Sequence, residues 1–122
     1  MSEIKVDQVD LPNGETINYR YQSGGDEVLL LLHGNMSSSK HWDILMEALP
    51  AEYTVYAPDL RGFGDSSYQH RFDSLGELAE DVKLFCEQVG IKKVNVVGWS
   101  TGGGVAQKLA ANYADYVSKL VR

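Results

Sequence analysis

Cysteine is almost missing from this sequence. Cys86 is the only one in 122 residues, which excludes an intrachain disulfide and is compatible with a reducing compartment. Its apolar neighbours mark it as a buried core thiol rather than a catalytic one. Long apolar runs are missing as well. No segment approaches the ~18 continuous apolar residues of a membrane span, and the N-terminal MSEIKVDQVD has no apolar stretch of signal-peptide length. The expectation is a cytoplasmic protein with no membrane span. Positive charge is sparse and unclustered: 11 basic residues stand against 17 acidic ones, for a net charge of -6. Attraction to phosphate backbones or anionic membranes is disfavoured, and nucleic acid is not expected as a partner.

The three histidines, His33, His41 and His70, have no companion at metal-ligand spacing, so each reads as structural or surface and no metal site is expected. Nucleotide loops are excluded on similar grounds. No lysine follows the glycines of GWSTGGG, and Ser100 and Gln107 occupy the positions where the two registers of G-x-G-x-x-G need glycine. The carboxylate pairs Asp26-Glu27 and Glu80-Asp81 read as facing water.

What is present is an alternation of strand and helix signals in an ordinary globular composition, 43% hydrophobic and 23% charged. Residues 4–11 and 16–23 alternate apolar with polar around Asn13-Gly14, which predicts an antiparallel hairpin. VLLLLHG (28–34), YTVYAPDL (53–60) and KVNVVGWS (93–100) are short continuous apolar runs, as parallel strands covered on both faces require. Helices are predicted between them. Trp42, Leu45, Met46 and Leu49 recur at helical spacing before Pro50. Leu75, Leu78, Ala79, Val82, Cys86 and Val89 make a second stripe, with Ser74 and Glu77 spaced as a capping box and Gly90 as the stop. Val105, Ala106, Leu109, Ala110 and Tyr113 make a third. The fold class is therefore α/β, a mostly parallel sheet with an antiparallel N-terminal hairpin and helices on both faces.

In such sheets chemistry collects at the carboxyl ends of the strands. Three loops there hold the unusual residues: HGNMSSS, DLRGFGDSS and GWSTGGG. In the last, Ser100 sits at G-x-S-x-G spacing between a strand and a helix. Small residues two before and two after, Gly98 and Gly102, let the chain turn tightly enough to expose the hydroxyl. The next amide, of Thr101, lies at a helix N-terminus, where N–H groups point outward and negative charge is favoured. A second oxyanion donor is expected from the Asn35 amide in the HGN loop.

Taken together, LLLLHGNMSSSKHWD, VYAPDLRGFGDSS and VNVVGWSTGGGVAQKLA resemble the N-terminal half of the α/β-hydrolase fold family, in order and spacing, from residue 4 onward. The resemblance implies that residues 1–122 are the N-terminal portion of a single, incomplete α/β-hydrolase domain. It implies Ser100 as nucleophile, Asn35 and Thr101 as the oxyanion hole, and Met36 and Trp99 beside an acyl pocket. His33, Arg61 and Asp65 take structural roles in the resemblance, and no cofactor is implied. Serine rather than aspartate at position 100 points to a serine esterase or lipase-like acyl hydrolase, acting on a small ester-type substrate, over a dehalogenase or epoxide hydrolase. The family order Ser, Asp or Glu, His places the acid and the histidine after Ser100, where only Asp115, expected at the end of the third helix, and no histidine occur. The 122 residues alone are therefore expected to be inactive, and YVSKLVR reads as the lead-in to a sixth strand. Self-association, or a complementing C-terminal half, is the expected partner of an unfinished sheet. The alternative reading is a noncatalytic ligand-binding or interaction module on a hydrolase scaffold.

Overall fold

The computed structural model describes residues 3–34 and 38–121. Six strands form one sheet in the order β1-β2-β4-β3-β5-β6. β1 (Lys5–Asp10) and β2 (Thr16–Gln22) are the expected hairpin, with Lys5 opposite Tyr21 and Asp10 opposite Thr16. β2 also runs antiparallel to β4 (Tyr53–Pro58), while β3 (Glu27–Leu32), β4, β5 (Val94–Gly98) and β6 (Val117–Val121) are mutually parallel where they pair. The five residues of β6 pair with β5 and form one edge of the sheet; β1 forms the other.

The period-2 alternation of β3 distributes its leucines between two cores, because successive strand side chains point to opposite faces. Leu30 and Leu32 join the larger core beneath α2 (Leu75–Val89) and α3 (Thr101–Asn112), with Val96, Val105, Ala106 and Leu109. Leu31 joins Trp42, Met46, Val55 and Ala57 on the opposite face, under α1 (Asp43–Ala48). Burial on both faces is what makes β3 read as a continuous apolar run.

Helix α2 begins as its sequence requires: the Ser74 hydroxyl accepts from the Glu77 amide at 3.3 Å. The reciprocal arm differs, since Glu77 Oε2 accepts from the amide of Asp73 rather than that of the capping serine. The buried face of α2 is wider than the apolar stripe, because it also contains Phe85, wholly buried, and Asp81. The stripe on α1 is narrower than expected. Trp42 and Met46, four apart, are buried, whereas Leu45 is 39% exposed. A helix of only six residues presents one short face to the sheet, and Leu45 falls beside it. Helix α3 ends at Asn112, so Asp115 lies in a separate single turn, Ala114–Tyr116, rather than at the helix end.

Candidate active site

Because β3, β4 and β5 are parallel, their following loops open at the same end of the sheet. The turn after β5 is the sharpest of them. Ser100 has φ 57 and ψ -117 and is, among the described residues, the one non-glycine with positive φ. Such a backbone costs on the order of 1–3 kcal/mol and persists only where its surroundings impose it. Those surroundings are visible in the hydrogen bonds. The Trp99 amide donates to Leu32 O at the end of β3 (3.1 Å), the Gly102 amide to Trp99 O (2.9 Å), and the Gly103 and Gly104 amides to Ser100 O (2.9 and 3.2 Å).

Close approach explains the glycines. A Cβ on Gly102 would collide with the carbonyl oxygens of Leu32 and His33, and one on Gly98 with the carbonyl of Gly102. A Cβ on Gly34 would lie 2.9 Å from the Trp99 ring and 3.2 Å from Ser100 Cβ. The HG segment after β3 therefore lies directly against the serine turn. Ser100 itself is exposed, as is Trp99 at 52%. Among the described residues no backbone carbonyl takes the Thr101 N–H, the first of helix α3. Asn35 and Met36 lie outside the described residues.

His33 ties two of the loops together. Its buried ring accepts the Leu60 N–H at Nε2 (2.9 Å), so the proton sits on Nδ1, which donates to Gly34 O (2.8 Å). With both nitrogens committed in this way the ring is a brace between the ends of β3 and β4, and it packs edge-on against Phe63. Asp59, also buried, accepts from Asn18 Nδ2 and from the Asp65 amide, each at 3.0 Å. Asp65 takes part through its backbone only, and its side chain is exposed; the bracing role expected of that carboxylate belongs to Asp59.

Arg61 does brace the loop, through a partner that the sequence pattern assigned to water. Asp81, 2% exposed on helix α2, takes Arg61 Nε at 2.8 Å and Nη2 at 2.6 Å, while Arg61 Nη1 donates to His70 O. A two-pronged guanidinium–carboxylate pair compensates the desolvation of both ions. Glu80, Asp26 and Glu27 do face water.

Glu15 is the second unforeseen carboxylate. It follows the hairpin turn and is 1% exposed. Its oxygens accept from Ser67 Oγ (2.7 Å), the Gln69 amide (3.0 Å), the His70 amide (2.7 Å) and His70 Nδ1 (2.9 Å). Burial alone would raise its pKa, but these hydrogen bonds stabilise the charged form more strongly and lower it to about 2. The Ser66 and Ser67 hydroxyls accept the amides of Asn18 and Thr16. The loop after β4 is thereby stitched to the hairpin over 48 to 55 residues of sequence, and no local pattern around Glu15 signals it.

The site presents an exposed serine on a strained turn, beside an amide that no backbone carbonyl takes among the described residues, above loops braced by His33, Asp59 and Arg61. The ring of His70 is hydrogen-bonded to Glu15 at the hairpin, and that of His33 to Gly34 and Leu60. Among the described residues no cluster of histidine, cysteine and carboxylate side chains is arranged to hold a metal ion, and no helix is long and apolar enough to cross a membrane.

This architecture is shared by known proteins. The chain is 40% identical over 103 residues to a pimeloyl-[acyl-carrier protein] methyl ester esterase of Vibrio atlanticus, covering 84% of this chain and 38% of that protein. It is 37% identical over 108 residues to a soluble epoxide hydrolase of a Corynebacterium species, covering 88% and 37%. The solved structure of the epoxide hydrolase CorEH superposes with a TM-score of 0.90 at 36% identity, over 97% of this chain and 41% of that one. The chain thus spans well under half the length of these relatives. A family profile described as the alpha/beta hydrolase fold matches residues 27–121, a span that contains all three loops of the site, and the chain belongs to that family.

Proposed function

We propose that this chain supplies the nucleophile and oxyanion hole of a serine hydrolase acting on an ester or related acyl bond. The observation that carries the reading is the conformation of Ser100: a strained, exposed serine at the amino end of a helix, flanked by two glycines, Gly98 and Gly102, whose backbone contacts admit no Cβ. In this reading Ser100 Oγ adds to the carbonyl carbon. The negative charge that develops on the carbonyl oxygen is met by the Thr101 amide and by Asn35, and an acyl-enzyme forms as the alcohol leaves. Trp99, exposed beside the serine, and Met36 flank the acyl group.

A serine hydroxyl at its free pKa is a weak nucleophile and needs a base. His33 and His70 are hydrogen-bonded elsewhere and no histidine follows Ser100 in these 122 residues, so in this reading the catalytic acid and histidine come from chain outside them. An esterase and epoxide hydrolases stand at similar identity among the relatives. The choice of acyl transfer rests on the serine, whose oxygen matches a carbonyl carbon and an adjacent oxyanion donor.

The test is covalent. The protein expressed from its full reading frame should react with a fluorophosphonate and hydrolyse short-chain aryl esters. Ser100→Ala should abolish both, with a loss of several orders of magnitude in kcat. The 122 residues alone should show almost neither activity. Retention of esterase activity by Ser100→Ala would remove serine as nucleophile. A full-length protein inert to fluorophosphonate that binds small molecules tightly would be a noncatalytic binding module.

A further inference from the structure

A concavity lies away from the serine turn, on the face of the sheet that carries α2, its floor on β2 and β4 and separated from β5 by β3. It is a groove of about 440 Å³, within the size range of small-molecule sites. Its floor is three half-buried tyrosines, Tyr19, Tyr21 and Tyr56, brought together by strand register: Tyr21 stands opposite Tyr56, and Tyr19 two residues along the same face of β2. Ring centroids are 4.9 Å apart for Tyr21 and Tyr56 and 6.1 Å for Tyr19 and Tyr56, and Tyr19 rests edge-on against Phe85 at 5.0 Å. Among the described residues none of the three hydroxyls has a hydrogen-bond partner within the protein.

The walls carry charge. Asp7 and Lys5, two apart on β1, pair with Tyr19 and Tyr21 and line the same groove. The opposite wall is Gln88, in the last turn of α2, a turn that contains no basic residue to offset its carbonyl ends. Burial, then the neighbouring Asp7 carboxylate, hold the Tyr19 phenol above its ordinary value, and tyrosine rings carry electron-rich faces. Aromatic faces, a carboxylate and the negative end of a helix all favour a cation, and an alkylated ammonium meets such faces with little desolvation cost. Lys5 at the other end of the groove favours an acid.

We propose that this groove binds a small zwitterion, its methylated ammonium against Tyr19, Tyr21, Tyr56 and Asp7 and its carboxylate toward Lys5. The probe is glycine betaine, titrated into the 15N-labelled chain at constant ionic strength. Saturable amide shifts should be confined to Lys5, Asp7, Tyr19, Tyr21, Tyr56 and Gln88 and their chain neighbours. The analogue 3,3-dimethylbutanoate has the same shape and carboxylate without the positive charge, and should bind about tenfold more weakly. Asp7→Asn and Tyr56→Leu should each weaken betaine by about the same factor, and Tyr56→Phe, which keeps the ring, should restore it. Lys5→Gln should weaken betaine but leave tetramethylammonium unaffected. Asp7 is exposed, so its variant retains the fold and keeps the test decisive if Tyr56→Leu does not. Equal affinity for the two analogues, shifts outside the groove, or no saturation by about 50 mM betaine would overturn the assignment.

Discussion

Replacing Glu15 by glutamine removes one negative charge from a site built to hold it. The substitution keeps the volume and one acceptor oxygen but turns the other into an NH2 donor, facing the His70 amide and Nδ1 that now donate at 2.7 and 2.9 Å. The carboxyl titrates at about 2 against an ordinary 4.5. At about 1.4 kcal/mol per unit, that difference corresponds to about 3 kcal/mol of stability. Solvent screening at the rim, where His70 is 65% exposed, brings the expected contribution to about 2 kcal/mol. Its sign follows from the lowered pKa. The contribution is fully present above the ordinary carboxylate value, because both folded and unfolded chains are then ionised. It is lost as pH falls toward 2, because the unfolded chain takes the proton first. Urea unfolding followed by circular dichroism should therefore show Glu15→Gln less stable than the parent by about 2 kcal/mol near pH 7, with the difference falling below half by about pH 3. A difference that is independent of pH would show that Glu15 acts by packing alone. Equal stability near pH 7 would refute the reasoning outright.

Three further outcomes follow from the same packing. Gly102→Ala should destabilise by more than about 3 kcal/mol in thermal melts, because its Cβ meets backbone carbonyls of Leu32 and His33; Gly104→Ala, which meets only the end of the Leu75 side chain, Cδ1 at 2.6 Å, should stay within about 1 kcal/mol of the parent, helped by helix propensity. Asp81→Asn breaks the buried pair with Arg61 and should cost about 3–5 kcal/mol in urea unfolding, with a value under about 1 kcal/mol indicating that water reaches the guanidinium. Cys86 is 1% exposed and its thiol is pushed up to about 12 by burial, so a thiol reagent should label it slowly in the native chain and rapidly in denaturant; fast native labelling would mean that α2 undocks readily.

Much of this protein is legible in its residues taken in order. The alternation around Asn13-Gly14, the apolar runs at Leu29–Leu32 and Val94–Val97, and the stripe of α2 from Ser74 to Gly90 correspond to the hairpin, two central strands and a capped helix at nearly the expected bounds. These features are local: a strand covered on both faces must be apolar throughout, and a helix end must find its own caps. The strand–serine–helix turn belongs to the same class, since Gly98, Ser100 and Gly102 stand within five residues. The tertiary structure alone decided the rest. It buried Asp81, read with Glu80 as facing water, and Glu15, which no local pattern marks, because each finds its partners 20 to 68 residues away in another element. It left Leu45 in water, passed the bracing role from Asp65 to Asp59, and gathered three tyrosines of two strands into one groove. The physical reason is that a polar group is tolerated in the interior when partners arrive to satisfy it, and those partners are brought by strand order and loop closure, which no window of neighbouring residues contains.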